Sequence, residues 1–363
     1  MSTETPQYYP PPESHGGWRW LQGQEDIRAV AGMDPDRLEL MACNQELIYG
    51  GDSWGIVIIR NGYLVREFYS FNVLVPSRFD IWSGTKSFTG TAWGLLLDDS
   101  LQDRLPGNAK VDLDSPAYDF IVEGKPLSDP RKARITFRQL LTMTSGIAGE
   151  ASGVRGMPTA TEHGAFEHAL GRCPNRYGSW TDRLASDPGT RWEYSDPAMA
   201  HLALAFAHIM GQEMSEFLKS RVFDPIGIEK LSWDVQGGSG FIGPHTNAHT
   251  GVHVSARELA RFGYLMLQGG VWEGQQLIPK WWLDLSTQSS QELNRQYGYT
   301  WWVNTEGCRW LDIPHDLFFL AGYRSNLCYV VPSLDLVVAR VGSGPTAWNQ
   351  RKLLANVISA IVA

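Results

Sequence analysis

Apolar and aromatic positions crowd into two short runs near the start of the chain, Gly55–Arg60 and Tyr63–Tyr69, separated only by Asn61-Gly62. An Asn-Gly pair between β-rich runs is a strong signal for a tight two-residue turn, so an antiparallel hairpin is predicted here. Residues 34–47, upstream, carry helical spacing. From Ser83 the pattern changes. Ser-Gly-Thr-Lys-Ser-Phe-Thr-Gly opens an apolar run through Leu97, ahead of Asp98-Asp99, which predicts a buried helix capped by a serine.

Between about residues 85 and 235, helical stretches (Phe137–Met143, Met199–Ile209, Met214–Val222) alternate with long polar loops rich in Gly and Pro. Past Gly251 a helix over Ser255–Leu267 precedes Gly269-Gly270. Strands are expected at Tyr299–Val303, Asn326–Val331 and Leu334–Val341, with a turn at Pro332-Ser333, and a last helix from Trp348 to Ile361. Strands near both ends with helices between them predict an α/β (α+β) fold, an antiparallel sheet flanked by terminal helices plus an all-helical insertion. Residues 1–17 read as a Pro- and Gly-rich arm, on the surface or mobile. Residues 18–363 read as one catalytic domain, with 18–82 and 240–363 as its α/β part and 83–239 as its mainly helical part.

Composition narrows the function. The 363 residues are 43% hydrophobic and 19% charged, which suits a folded globular chain with a large core. The formal net charge is −8 and the basic residues are scattered, which argues against a nucleic-acid partner. No basic start followed by an apolar stretch and no apolar run of the ~20 residues that span a bilayer is visible. The expectation is a cytoplasmic protein without a membrane partner. Cys43, Cys173, Cys308 and Cys328 are widely spaced, without a C-x-x-C pair, and suit reduced thiols better than disulfides or a zinc site.

Acyl transfer by serine needs a hydroxyl, a base and donors for an oxyanion. Ser83-Gly84-Thr85-Lys86 offers the first two, because positions i and i+3 share a helix face. Such a lysine acts as a base only when neutral, a form that burial and the positive end of a helix favour. Tyr194-Ser195-Asp196 precedes a helix-like run, and a tyrosine and a polar residue two apart can point together into a cleft. In Leu320-Ala321-Gly322-Tyr323-Arg324, Gly322 lets substrate lie against backbone, so that the Tyr323 N–H can join that of Ser83 around an oxyanion. Each element also has a plain reading: a chance Ser-x-x-Lys, a buried tyrosine beside an Asp N-cap, a strand bulge.

In order, Ser83-x-x-Lys86, Leu140-Leu141-Thr142-Met143-Thr144-Ser145-Gly146, Pro188-Gly189-x-x-Trp192-x-Tyr194-Ser195-Asp196, Ser255–Gly263 and Val330-Val331-Pro332 resemble the serine β-lactamase and penicillin-binding protein superfamily. The likeness is greatest to its class C-like branch, which holds carboxylesterases, D-aminopeptidases and 6-aminohexanoate-dimer hydrolases. The resemblance implies a β-lactamase/transpeptidase-like fold, acylation of Ser83, a proton shuttle by Lys86 and Tyr194, and an oxyanion hole completed beside Gly322. It implies no metal and no organic cofactor.

Two departures bear on substrate. Asp196 stands where the family usually has Asn, so it either faces away from Lys86, leaves more of the proton transfer to Tyr194, or recognises a substrate amine. Leu320 stands where β-lactamases carry a cation for the substrate carboxylate, which disfavours β-lactams, although Arg324 could substitute. His245, His249 and His253 recur every four residues, but Gly243-Pro244 and Gly251 interrupt any helix there, so a metal is not expected. Tyr177, Trp180, Trp301 and Trp302 fall in predicted loops or at strand ends, and an aromatic-walled cleft suits a neutral acyl group. The expected activity is hydrolysis of a small-molecule ester or amide. Acyl transfer to a specific acceptor, and a non-catalytic binding or sensor module, remain as alternatives, and the oligomeric state stays open.

Overall fold

The computed structural model describes residues 7–49, 52–154, 164–237, 240–344 and 350–362. Its frame is a six-stranded sheet in the order Trp302–Val303, Phe318–Gly322, Asn326–Val331, Leu336–Gly342, Trp54–Arg60, Tyr63–Tyr69. Every neighbouring pair is antiparallel. The predicted hairpin forms: Asn61 and Gly62 take φ of 52° and 72°, the pair of positive values a tight primed turn requires.

Alternation along the strands assigns each face to a different core. Ile56, Ile58, Leu327, Tyr329, Leu336 and Val338 bury against the C-terminal helix Gln350–Ser359 through Leu353, Leu354 and Val357. Val57, Ile59, Cys328, Val330, Val337 and Ala339 face the opposite way, into the core shared with the helices Thr85–Leu101 and Ala256–Leu267. The latter helix begins with a capping box, Ser255 and Glu258 each satisfying the other's backbone N–H.

The middle of the chain is mainly helical, with Phe137–Leu141, Ala165–Leu170, Asp196–Met210 and Met214–Leu218 joined by many short turns. A small three-stranded sheet, Phe79–Asp80, Val252–Val254 and Ser232–Trp233, lies ahead of the Thr85–Leu101 helix.

Several boundaries differ from the sequence pattern. Ser83 does not cap the following helix. It lies in a 3-10 turn, Trp82–Gly84, and Gly84 takes the cap position, which leaves the serine hydroxyl unspent. The expected strand over Tyr299–Val303 shortens to Trp302–Val303, because Thr300 adopts φ 65° and breaks the extended run. Trp348, where the last helix was expected to begin, is outside the described residues, as are residues 1–6 of the arm.

Residues 7–17 of the arm lie on the surface and are pinned there. Arg261, fully buried, donates to the Pro10 carbonyl at 2.9 Å and to the Ile226 carbonyl at 3.2 Å. Glu13 pairs with Arg261 at 2.8 Å and with Arg257 at 2.9 Å. The arm therefore straps the Ala256–Leu267 helix to the helical half. Among the described residues no helix is long and apolar enough to cross a membrane.

Candidate active site

The chain leaves the Phe79–Asp80 strand, turns through Ile81 and Trp82, and enters the helix that carries Lys86. Trp82 has φ 50°, a left-handed conformation that costs a bulky residue about 1–3 kcal/mol and persists only where its surroundings hold it. The turn leaves Ser83 half-buried, with the Lys86 Nζ donating to its Oγ at 3.0 Å.

Lys86 is only 1% exposed. Its ammonium also reaches the His249 carbonyl at 3.2 Å and Asp196 Oδ1 at 2.7 Å, and it lies 4.7 Å from the Tyr194 ring centroid. A charge this deep survives only with such partners. The lysine that the sequence expects to be neutral is thus found in an ion pair, and Asp196 faces inward.

Tyr194 and Asp196 reach the cleft because Ser195, between them, turns the other way. Its Oγ accepts from Ala198 N at 3.2 Å, capping the Asp196–Met210 helix, and donates to the Ala148 carbonyl at 3.1 Å. Burial raises the affinity of the Asp196 carboxyl for a proton, but Lys86 and then His249 outweigh it, and the net direction is down. Asp196 is therefore held as a carboxylate. The Tyr194 phenol is driven well above its ordinary value, first by burial and then by Asp196, while the Ser83 hydroxyl, its hydrogen-bond neighbour, pulls the other way. Its ring is stacked 6.2 Å from Trp302 and edge-on to Tyr297 at 6.4 Å.

The Phe318–Gly322 strand closes the opposite side. A Cβ on Gly322 would collide with the Ile81 carbonyl oxygen, so only glycine allows this strand end to press against the turn that carries Ser83. Tyr323 follows at once, its ring edge-on to Trp82 at 5.4 Å. Arg324 and Ser325 take φ 59° and 66°, and Arg340 holds both carbonyls at 3.1 and 3.0 Å. The Arg324 side chain is exposed at the rim, 5.8 Å from the Tyr323 ring centroid. Leu320 is buried beneath the turn, beside Gly84, so the family's cation has no counterpart at that point.

Ser83, Lys86, Tyr194, Asp196, Gly322 and Tyr323 thus converge, with Arg324 at the edge. Two further residues, Glu150 and Glu193, escaped the sequence reading, and His249 was met there only as one of a stripe of three histidines. His249 is nearly fully buried, its imidazole pushed down to about 4 chiefly by burial. Glu150 feels burial and then Asp196, both raising its carboxyl, against the pull of Lys86. Glu193, buried, accepts from Gly149 N and Ser152 N, each at 2.8 Å. That grip folds the 149–152 loop onto the catalytic tyrosine candidate: Glu150 N donates to the Tyr194 carbonyl at 3.0 Å. A Cβ at Gly149 would strike the same carbonyl.

The remaining candidates disperse. His245 meets Glu213 at 2.9 Å and His253 meets Asp234 at 3.1 Å, away from His249. No group of three metal-binding side chains occurs among the described residues, and all four cysteines are free. Of the aromatics, Trp301 belongs to the core, Trp302 joins the wall beside Tyr194, and Tyr177 and Trp180 are exposed.

Comparison with known proteins agrees with this arrangement of elements. A 6-aminohexanoate-dimer hydrolase from Paenarthrobacter ureafaciens is 24% identical over 315 residues, 80% of this chain and 72% of that one. A D-stereospecific amidohydrolase from Streptomyces superposes with TM-score 0.58 at 18% identity, over 88% of this chain and 98% of that one. EstCE1, described as a hydrolase with promiscuous acyltransferase activity, superposes with TM-score 0.67 at 14% identity, over 91% of this chain and 98% of that one. The β-lactamase family pattern matches residues 56–359, and the chain belongs to the β-lactamase family.

Proposed function

We propose that this protein hydrolyses a small-molecule ester or amide through an acyl-enzyme on Ser83. The observation that carries the proposal is the contact of Lys86 Nζ with Ser83 Oγ at 3.0 Å, with Tyr194 beside the same hydroxyl.

The ion pair shapes the chemistry. A lysine held by Asp196 at 2.7 Å acts only after releasing its own proton to solvent; Tyr194, which resists ionisation, then passes its hydroxyl proton to the Lys86 amine as it receives that of Ser83 Oγ. Ser83 Oγ then adds to the carbonyl carbon. The oxyanion accepts from the Ser83 and Tyr323 N–H groups, the proton passes back to the leaving group, and the C–O or C–N bond breaks. Water, deprotonated by the same relay, adds to the ester carbonyl and releases the acid and Ser83.

Trp302, Tyr297 and Trp192 wall the cleft beside Tyr194, and Leu320 offers no charge for a substrate carboxylate. Both favour a neutral, apolar acyl group over a β-lactam. The same aromatic wall supports a second reading, transfer of the acyl group to an alcohol or amine acceptor, an activity described for EstCE1.

The test is covalent labelling with a fluorophosphonate, followed by peptide mapping, alongside turnover of p-nitrophenyl esters and amides. Label on Ser83 and its loss in Ser83→Ala are expected. Ester turnover that survives Ser83→Ala would overturn the reading, and product partitioning toward an added alcohol would select transfer.

A further inference from the structure

The nucleophile turn is held from outside the constellation described so far. Asp80 Oδ1 accepts two backbone N–H groups, that of Trp82 at 2.8 Å and that of Gly251 at 3.0 Å. The first bond fixes the residue whose φ of 50° aims the next one, Ser83. The second fixes the segment that contains His249, whose carbonyl accepts from Lys86 at 3.2 Å. One oxygen thus ties together the chain segments that present the nucleophile and an acceptor of the candidate base.

The surrounding bonds show how that tie is transmitted. Ile81 N donates to the Val252 carbonyl at 2.9 Å. Val252 N donates to Thr85 Oγ1 at 3.1 Å, and Thr89 Oγ1 donates to the Ala248 carbonyl at 2.8 Å. The 248–252 segment is therefore bonded on one side to the first turns of the Lys86 helix and on the other to Asp80.

Resting on the serine-hydrolase reading above, we infer that Asp80 is a positioning residue: its carboxylate oxygen holds Trp82 and Gly251 so that Ser83 and Lys86 stay in register for acylation. The role belongs to the acceptor oxygen and not to the negative charge. Asparagine presents the same oxygen at the same reach, whereas alanine presents none. The strained φ of Trp82 has no other hydrogen-bonded hold on its N–H among the described residues.

The test measures fluorophosphonate labelling of Ser83, and kcat and KM for p-nitrophenyl butyrate, in the full chain and its Asp80→Ala and Asp80→Asn variants, with folding checked by near-UV circular dichroism. A misplacement of reacting groups by about 1 Å costs on the order of 10²-fold in rate. Asp80→Ala is accordingly expected to lower kcat and the labelling rate by about 10²-fold with KM little changed, and Asp80→Asn to recover most of the rate. A folded Asp80→Ala that is labelled at the wild-type rate overturns the inference, as does an Asp80→Asn as slow as Asp80→Ala. Should Asp80→Ala not fold, Asp80→Ser carries the comparison, since a serine hydroxyl bonds the N–H two residues on but is too short for Gly251. Slowed labelling supports the inference and unchanged labelling overturns it. Wild-type protein that is not labelled at Ser83 at all would instead remove the hydrolase reading on which this one rests.

Discussion

Two lysines in this molecule are equally hidden, at 1% exposure for Lys86 and 0% for Lys132, yet they are furnished in opposite ways. Lys132 donates to Ser128 Oγ at 2.8 Å and to the Leu170 and Thr181 carbonyls at 3.1 and 3.0 Å. All three acceptors are neutral. They tie the 128–132 turn to the end of the Ala165–Leu170 helix and to the loop at Thr181, and no tyrosine is among them. Burial accordingly pulls Lys132 down to about 8, with Asp129 opposing from farther away. Lys86 instead meets a carboxylate, a half-exposed serine and an aromatic face. Burial alone therefore does not make a lysine chemical; a reactive partner and an exit for its proton do.

The sharpest break in this comparison is to remove each amine in turn. Lys86→Ala should lower acylation of Ser83 by about 10²–10⁴-fold, the range for a lost acid–base group, as read by the burst with a p-nitrophenyl ester. Lys132→Met should leave that burst intact per folded molecule but cost about 2–3 kcal/mol of stability, because carbonyls are left buried and unpaired; urea unfolding would show it. A normal burst in Lys86→Ala would erase the distinction.

A smaller effect follows from acidity. Lys132 binds its proton less tightly in the fold, about 8, than its ordinary 10.5, so between these values the unfolded chain holds more protons. Stability should therefore rise with pH across that window, by about 2–3 kcal/mol. Below pH 8 the full cost of the buried ammonium applies. The Lys132→Met variant should lose this slope in urea midpoints taken at pH 8 and pH 10. The smallest change should come from Asp196→Asn. Removing the negative charge 2.7 Å from Lys86 leaves less to hold a proton on the base, so the rising, acid-side limb of the acylation profile should move to lower pH and the rate at neutral pH should rise severalfold; a shift toward higher pH would assign Asp196 a different task.

Regular elements were legible because their periodicity is written locally. The Asn61-Gly62 hairpin, the helix after Ser83 and the strand Asn326–Val331 occur where alternation or helical spacing places them. Ser83, Lys86, Tyr194 and Gly322 were singled out by residue chemistry at short spacing. Glu150 and Glu193 were not, and His249 was noticed only as one of three spaced histidines and not as a neighbour of Lys86, for a physical reason. They arrive on irregular segments whose paths are set by distant backbone contacts, such as Glu193 folding the 149–152 loop and Gly149 abutting the Tyr194 carbonyl. The ion pair of Asp196 likewise could not be read from its position beside Tyr194, since the direction of a side chain at a helix start depends on what Ser195 caps.

The order of strands carries one more consequence. Trp54–Arg60 sits between Tyr63–Tyr69 and Leu336–Gly342, so the hairpin waits for a strand far along the sequence before the sheet is continuous. Pairings of such long range form late. On a ribosome, Ser83 and Lys86 emerge long before Gly322 does, and the nascent polypeptide carries its proposed nucleophile without the strand that would receive an oxyanion. On the serine-hydrolase reading, catalytic competence is thereby postponed until the Phe318–Gly322 and Leu336–Gly342 strands have joined the sheet.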